Sequence, residues 1–170
     1  MTRRPEPRET PARTAHKARE DSAMTKVRQI LDRKGSQEVE SIRPTNTLAE
    51  AAARLSERKI GCLLVLDEKG AMVGILSERD IVRLVGREGA DRLKDPVSTA
   101  MTAKVQSCAF NDDAIQVLSR MTKGRFRHMP VIEGGELVGL VSIGDAVIAR
   151  IEALQLENEA LADLIRSASA

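Results

Sequence analysis

The sequence predicts a mixed α/β fold made of two tandem copies of one β-α-β-β-α unit, with a helix before the pair and another after it. Three observations predict it. The stretch Val73-Gly74-Ile75-Leu76-Ser77-Glu78-Arg79-Asp80 returns about 65 residues later as Val138-Gly139-Leu140-Val141-Ser142-Ile143-Gly144-Asp145. Each copy follows a β-like apolar run and leads into a helical pattern. The elements ahead of each copy also recur in the same order, offset by about 66 residues. Neither unit covers its own apolar sheet face, so the two bury against each other about a pseudo-twofold axis.

Residues 1–23 hold three prolines, many charges and few large apolar groups, which predicts a disordered basic tail. Met24 is an alternative start, and a mitochondrial-type presequence is the weaker reading because Glu6, Glu9 and the prolines spoil an amphipathic helix. Over 24–37, Val27, Ile30 and Leu31 share a helical face ahead of a C-cap Gly35. The first repeat with its linker spans 38–100. Its elements are a β-like Val39 to Ile42, a capping box at Thr47-Leu48-Ala49-Glu50, and a helix burying Leu48, Ala51, Ala52 and Leu55. The apolar run Cys62 to Leu66 suits a strand covered on both faces. A turn at Asp67 to Gly70, a strand from Ala71 to Leu76, and a helix carrying Ile81, Val82, Leu84 and Val85 follow. The second repeat, 101–150, matches in order. It has Val105 to Cys108 as its first strand, a capping pattern at Asp113-Ala114-Ile115-Gln116, and an apolar helix face of Ile115, Val117, Leu118 and Met121. A hairpin at Glu133-Gly134-Gly135-Glu136 then joins its last two strands. Residues 151–170 form the terminal helix. Val147, Ile151, Leu154, Asn158, Leu161 and Ile165 step by four and three alternately, an a/d seam with Asn158 at a core position. That seam fits either a coiled-coil partner or packing on its own domain.

Composition narrows the function. The 42% hydrophobic and 31% charged residues describe a globular chain. With two Phe and neither Tyr nor Trp there is no stacking platform for single-stranded nucleic acid. The net charge of +2 resides in residues 1–23, where six basic groups face four acidic ones, so the body is neutral. Nucleic-acid binding is therefore expected at most through the tail, where it would depend steeply on salt. No apolar run approaches the roughly 20 residues that span a bilayer, and no secretory signal is visible, so a cytoplasmic protein with no membrane contact is expected. Cys62 and Cys108 form no metal pattern, and His16 and His128 assemble no catalytic set by order, so no enzyme activity is expected.

The paired Gly-x-x-Ser-x-x-Asp junctions, the Val-Ser-Thr-Ala-Met-Thr segment ending at Thr102, and Arg127-His128-Met129-Pro130-Val131 together resemble a tandem cystathionine β-synthase (CBS) domain pair. The likeness runs from about Val27 to Ile165 and is greatest to small stand-alone bacterial CBS-pair proteins. The resemblance implies adenosine-ligand binding in clefts between the repeats and a homodimer of pairs. It also implies a regulatory role in which an adenine nucleotide (AMP, ADP, ATP or NADH) is sensed and its occupancy passed to a protein target. The rival expectation is an assembly or adaptor protein with vestigial pockets, joined through its C-terminal helix.

Seven residues are candidate ligand contacts: Ser77, Arg79, Asp80, Arg127, His128, Ser142 and Asp145. Ser followed by Asp three residues on is also a helix-capping pattern that needs no ligand. Two features favour a ligand. Asp reaches back to a cap less readily than Glu, and Gly74 and Gly139 occupy strand positions where close approach of a ligand or another backbone would account for glycine. A carboxylate there can accept both ribose hydroxyls, and a helix N-terminus beside it favours phosphate. Ser77 and Ser142 would bond sugar or phosphate. In adenylate-binding family members basic residues occupy the positions of Arg127 and His128, whereas the first repeat has Gly61 and Cys62. Arg79 in turn faces Gly144 in the second copy, so the two clefts are expected to differ. S-adenosylmethionine stays among the alternatives, although the basic residues suit a phosphate better.

Overall fold

The computed structural model describes residues 25–35 and 39–168. The tail expected over 1–23 lies outside the described residues. Helix α1 (Val27–Lys34) ends at Gly35, whose φ of 69° is one that glycine adopts without strain. The first repeat contains β1 (Ser41–Ile42), α2 (Leu48–Arg58), β2 (Cys62–Leu66), β3 (Met72–Ser77) and α3 (Glu78–Glu88). Two short 3-10 turns, Ala90–Lys94 and Val97–Thr99, lead to α4 (Ala114–Gly124), β4 (His128–Glu133), β5 (Glu136–Ser142) and α5 (Ile143–Ala168). Helix α5 runs unbroken through the expected boundary at 150.

The first sheet is β1-β2-β3, with β1 parallel and β3 antiparallel to β2. Leu63 and Val65 of β2 enter one core with Leu48, Leu55, Leu76 and Val97. Cys62 and Leu64, on the opposite face, are buried as well, so both faces of β2 are covered as the apolar run required. Thr47 and Glu50 cap α2 reciprocally, the Thr47 N–H donating to Glu50 Oε2 at 2.7 Å and the Glu50 N–H to Thr47 Oγ1 at 3.2 Å.

Duplication shows in the irregularities. The β2/β3 hairpin shifts register between Val65 and Leu66, and the β4/β5 hairpin between Val131 and Ile132. Both repeat helices end on a basic residue in the left-handed region, Lys59 at φ 54° and Arg125 at φ 56°. The Glu133 to Glu136 hairpin turns on Gly134 and Gly135, with φ of 59° and 87°, the signs a two-residue primed turn requires.

The second sheet departs from expectation. It has two strands, and Val105 to Cys108 contributes only a single bridge from Cys108 to Val131. The cause is Pro130. In the first repeat the Leu64 N–H donates to the Glu40 carbonyl at 3.1 Å, and Pro130 holds Leu64's place in β4 with no N–H to give. Other details shift too. Asp113 caps α4 through the Ile115 N–H at 2.6 Å, and Gln116 makes no reciprocal bond. Ile115 and Val82, placed on buried faces by the pattern, are 43% and 69% exposed.

Helix α1 belongs to the second repeat. Val27 and Ile30 lie in its core with Met121, Met129, Val131 and Val141. The backbone confirms the attachment, with the Val27 N–H bonded to the Asp112 carbonyl and the Ala114 N–H to that of Thr25. On α5 only Ala146 and Ala149 are buried, while the predicted seam is exposed from Val147 (40% exposed) to Leu161 (58%).

Candidate functional site

Strand β3 delivers Ser77 to the N-cap of α3, and the capping pattern is fully formed. The Ser77 N–H and hydroxyl both donate to Asp80 Oδ2, at 2.9 and 2.6 Å, and the Asp80 N–H returns to Ser77 Oγ at 3.4 Å. Asp therefore does reach back. Ser77 is extended (φ −110°, ψ 160°), which carries its own N–H towards the first turn, so the shorter side chain suffices. Both bonds to the carboxylate use Oδ2, and Oδ1 of Asp80 has no protein partner among the described residues.

A cleft of about 330 Å³ opens between this junction and the start of β4. It gathers five of the seven candidates: Ser77, Arg79, Asp80, Arg127 and His128. Arg79 spans the repeats by donating from its guanidinium to the Arg125 carbonyl at 3.2 Å. The cleft also contains Arg83, Lys104 and Arg125, which the sequence reading left out. Arg83 was legible, since it lies one helical turn beyond Asp80 on α3. Lys104 was not, because its place depends on the segment that fails to become a strand. His128 is half-buried, and an added Cβ on Gly61 would stand 3.0 Å from its Cε1, so the glycine makes room for the ring. Burial, with a smaller push from Arg127, holds the imidazole below its ordinary pKa and so mainly neutral near pH 7.

The second junction repeats the cap and adds a basic partner for its carboxylate. The Ser142 N–H donates to Asp145 Oδ2 at 2.8 Å, and the Asp145 N–H to Ser142 Oγ at 3.2 Å. Here α1 takes the space beside the carboxylate. Lys34 Nζ donates to the same Oδ2 at 2.8 Å and to the Leu140 carbonyl at 3.2 Å. Burial alone would raise the Asp145 pKa, but the bonds from Lys34 and Ser142 outweigh it and hold the carboxyl below its ordinary value. Ser142 and Asp145 are thus separate from the open cleft. Sequence reasoning missed Lys34, a single basic residue in the last turn of a helix.

The two glycines are explained by the protein itself. An added Cβ at Gly74 would meet Met101 Sδ at 2.8 Å and the Thr102 carbonyl at 3.0 Å, the close backbone that was one of the expected causes. At Gly139 it would meet Leu31 Cδ1 at 2.9 Å, a side chain of α1. Neither glycine points to a ligand.

Nucleophilic chemistry has little to draw on. Both thiols are buried, which pushes Cys62 up to about 12 and Cys108 to about 11. Among the described residues no group of three or more His, Cys, Asp or Glu is placed to hold a metal.

The CBS domain model matches residues 27–87 and 97–152, one match per repeat. The chain belongs to the CBS domain family. Its fold is similar to that of the CBS-domain containing protein ATU1752 from Agrobacterium tumefaciens, at 46% identity and a TM-score of 0.72 over 75% of this chain and 94% of that one. A 17.7 kDa protein from the bps2 3′ region of Acidianus ambivalens is 36% identical over 75% of this chain and 74% of its own length. The chain spans only 22% of the CBS domain-containing protein CBSCBSPB1 of Arabidopsis thaliana, at 33% identity over 69% of this chain. Two similar CBS structures carry adenosine compounds. PAE2072 from Pyrobaculum aerophilum was solved with AMP (25% identity, TM-score 0.62, 71% of this chain and 89% of that one). The CBS domain pair of MJ0100 was solved with 5′-methylthioadenosine and S-adenosyl-L-methionine (25%, 0.64, 78% and 98%). CBS domain pairs of this kind are regulatory ligand-binding modules, and among the described residues no helix is long and apolar enough to cross a membrane.

Proposed function

We propose that the open cleft binds one adenine nucleotide per chain and that its occupancy is passed to a protein partner. The observation that carries this reading is the uncommitted Oδ1 of Asp80, in a cleft whose cations have no carboxylate partner among the described residues. Asp80 accepts the ribose hydroxyls, and Arg79, Arg127 and the N-terminus of α3 take the phosphate side. The AMP and S-adenosylmethionine complexes of the similar proteins support an adenosine ligand. Lys34 engages the Asp145 carboxylate, so the stoichiometry is one. A ligand that contacts Arg79 from the first repeat and Arg127 from the second biases the angle between repeats through its differential affinity for the two arrangements.

Titration of AMP, ADP, ATP and NADH into the full chain tests this by calorimetry and thermal shift. At a tenfold excess over Kd, binding stabilises by about 1.4 kcal/mol. If none binds at millimolar concentration, or if Asp80→Ala binds as the parent does, the proposal fails.

A second reading rests on the exposed seam of α5. Val147, Ile151, Leu154 and Leu161 are all at least 40% exposed. They form an a/d row suited to the same row of a second copy, with Asn158 fixing register. This makes the homodimer of the chain a coiled-coil assembly, independent of whether the cleft is filled.

A further inference from the structure

The cleft holds far more positive charge than a monophosphate can use. Arg79, Arg83, Lys104, Arg125 and Arg127 line it, against Asp80 as the one acid, a formal excess of four. None of the five has a carboxylate partner among the described residues, although Arg33, Lys34, Arg58, Arg92, Lys94, Arg120, Arg150 and Arg166 all do. Unpaired like charges converging on a concavity repel one another, and their field is focused on the cleft. Such an arrangement is stabilised by an anion of matching charge.

We infer that the ligand of this cleft carries a chain of two or more phosphates, a nucleoside triphosphate in its simplest form, and that monophosphates and sulfonium nucleosides are its weak competitors. The inference rests on the adenine-nucleotide reading and narrows it. A single phosphate carries about −1.5 to −2 at neutral pH and leaves about half of the excess unmatched. A sulfonium adds to it. Asp80 anchors the ribose at the N-terminus of α3, and Arg83, one turn further along that helix, together with Lys104, which also lines the cleft, meets the outer phosphates. The five cations do the neutralising that Mg²⁺ does elsewhere, so binding needs no divalent ion.

The experiment is calorimetry on the full chain in EDTA with AMP, ATP, S-adenosylmethionine and inorganic tripolyphosphate. ATP should bind at least about tenfold tighter than AMP, each added phosphate gaining roughly threefold from partly exposed charge pairs. Its affinity should fall more steeply with salt than that of AMP. Tripolyphosphate should compete with ATP. In the double variant Arg83→Gln, Lys104→Gln, two exposed residues with no protein partner, ATP should weaken more than AMP and the preference for ATP should shrink to about threefold. AMP and ATP binding within threefold of each other in the parent would overturn the inference and leave the nucleotide reading standing. Binding of tripolyphosphate with no nucleotide effect would uphold the phosphate chain and overturn the nucleotide. Absence of binding by all four would overturn both.

Discussion

Lys34→Met removes the cation paired with Asp145 while keeping the alkyl stem. Its Nζ lies 2.8 Å from Asp145 Oδ2, with the two side chains 26% and 21% exposed. At an effective dielectric near 20, that separation gives about 6 kcal/mol of gross attraction. Desolvation of two mostly buried ions and the ordering of a lysine chain, itself about 1.5–2 kcal/mol, offset most of it. A net loss of about 2 kcal/mol agrees with hydrogen bonds to charged groups in general. For a chain of this length each kcal/mol moves the melting midpoint by roughly 2–4 °C, so a fall of about 4–8 °C is expected. The assay is a double-mutant cycle with Asp145→Asn, followed by thermal and urea unfolding. A coupling energy of about 1.5 kcal/mol, little changed by salt because the pair is mostly buried, is the expected result. Coupling below about 0.5 kcal/mol would refute the argument that Lys34 fastens α1 across the Asp145 junction.

Further outcomes follow from the same geometry. Adding Leu31→Ala to Lys34→Met clears the second cleft, and the nucleotide stoichiometry by calorimetry should rise from one to two. Gly74→Ala should cost about 1–3 kcal/mol because its Cβ meets the Thr102 carbonyl, a backbone atom, whereas Gly139→Ala meets only the tip of Leu31 and should cost less; urea unfolding of each variant measures the difference. His128 is neutral in the fold, so the unfolded chain takes up the proton first, and stability should decline as pH falls from about 6.5 towards the lower folded value. His128→Asn should flatten the melting temperature across that window. Asp145, with its pKa held down, stabilises above about pH 3.9 and loses that contribution as pH falls through its folded value, a step that should be absent in Asp145→Asn. Ending the chain after Leu154 removes the outer seam and should convert the homodimer to a monomer by light scattering, with nucleotide binding intact.

The repeat, its hairpins and the Thr47 cap were legible because each follows from local pattern: an apolar run, a turn sequence, a capping pair. Five of the seven candidate contacts meet in one cleft for the same reason, since the duplicated Ser-x-x-Asp fixes the junction and Arg127 and His128 stand one unit away. What stayed hidden depends on contacts across the chain. Gly139 faces Leu31, more than a hundred residues earlier, and nothing near either residue announces that meeting. Ile115 and Val82 fit an apolar helical face by spacing yet are exposed, because periodicity marks a face and not what covers it. Lys34 pairs with Asp145 across 111 positions of sequence, a contact that no spacing rule contains.

Pro130 bears on how duplicated domains diverge. Its missing N–H costs the second sheet one ladder bond, and Lys104, Val105 and Gln106, freed from that pairing, become a wall of the cleft. The counterparts 39 and 40 in the first repeat lead instead into a paired strand. For a designer starting from two identical halves, one imino acid is enough to free a would-be strand for the wall of a cleft. Proline at this place acts as a symmetry breaker, while each half keeps its own buried core.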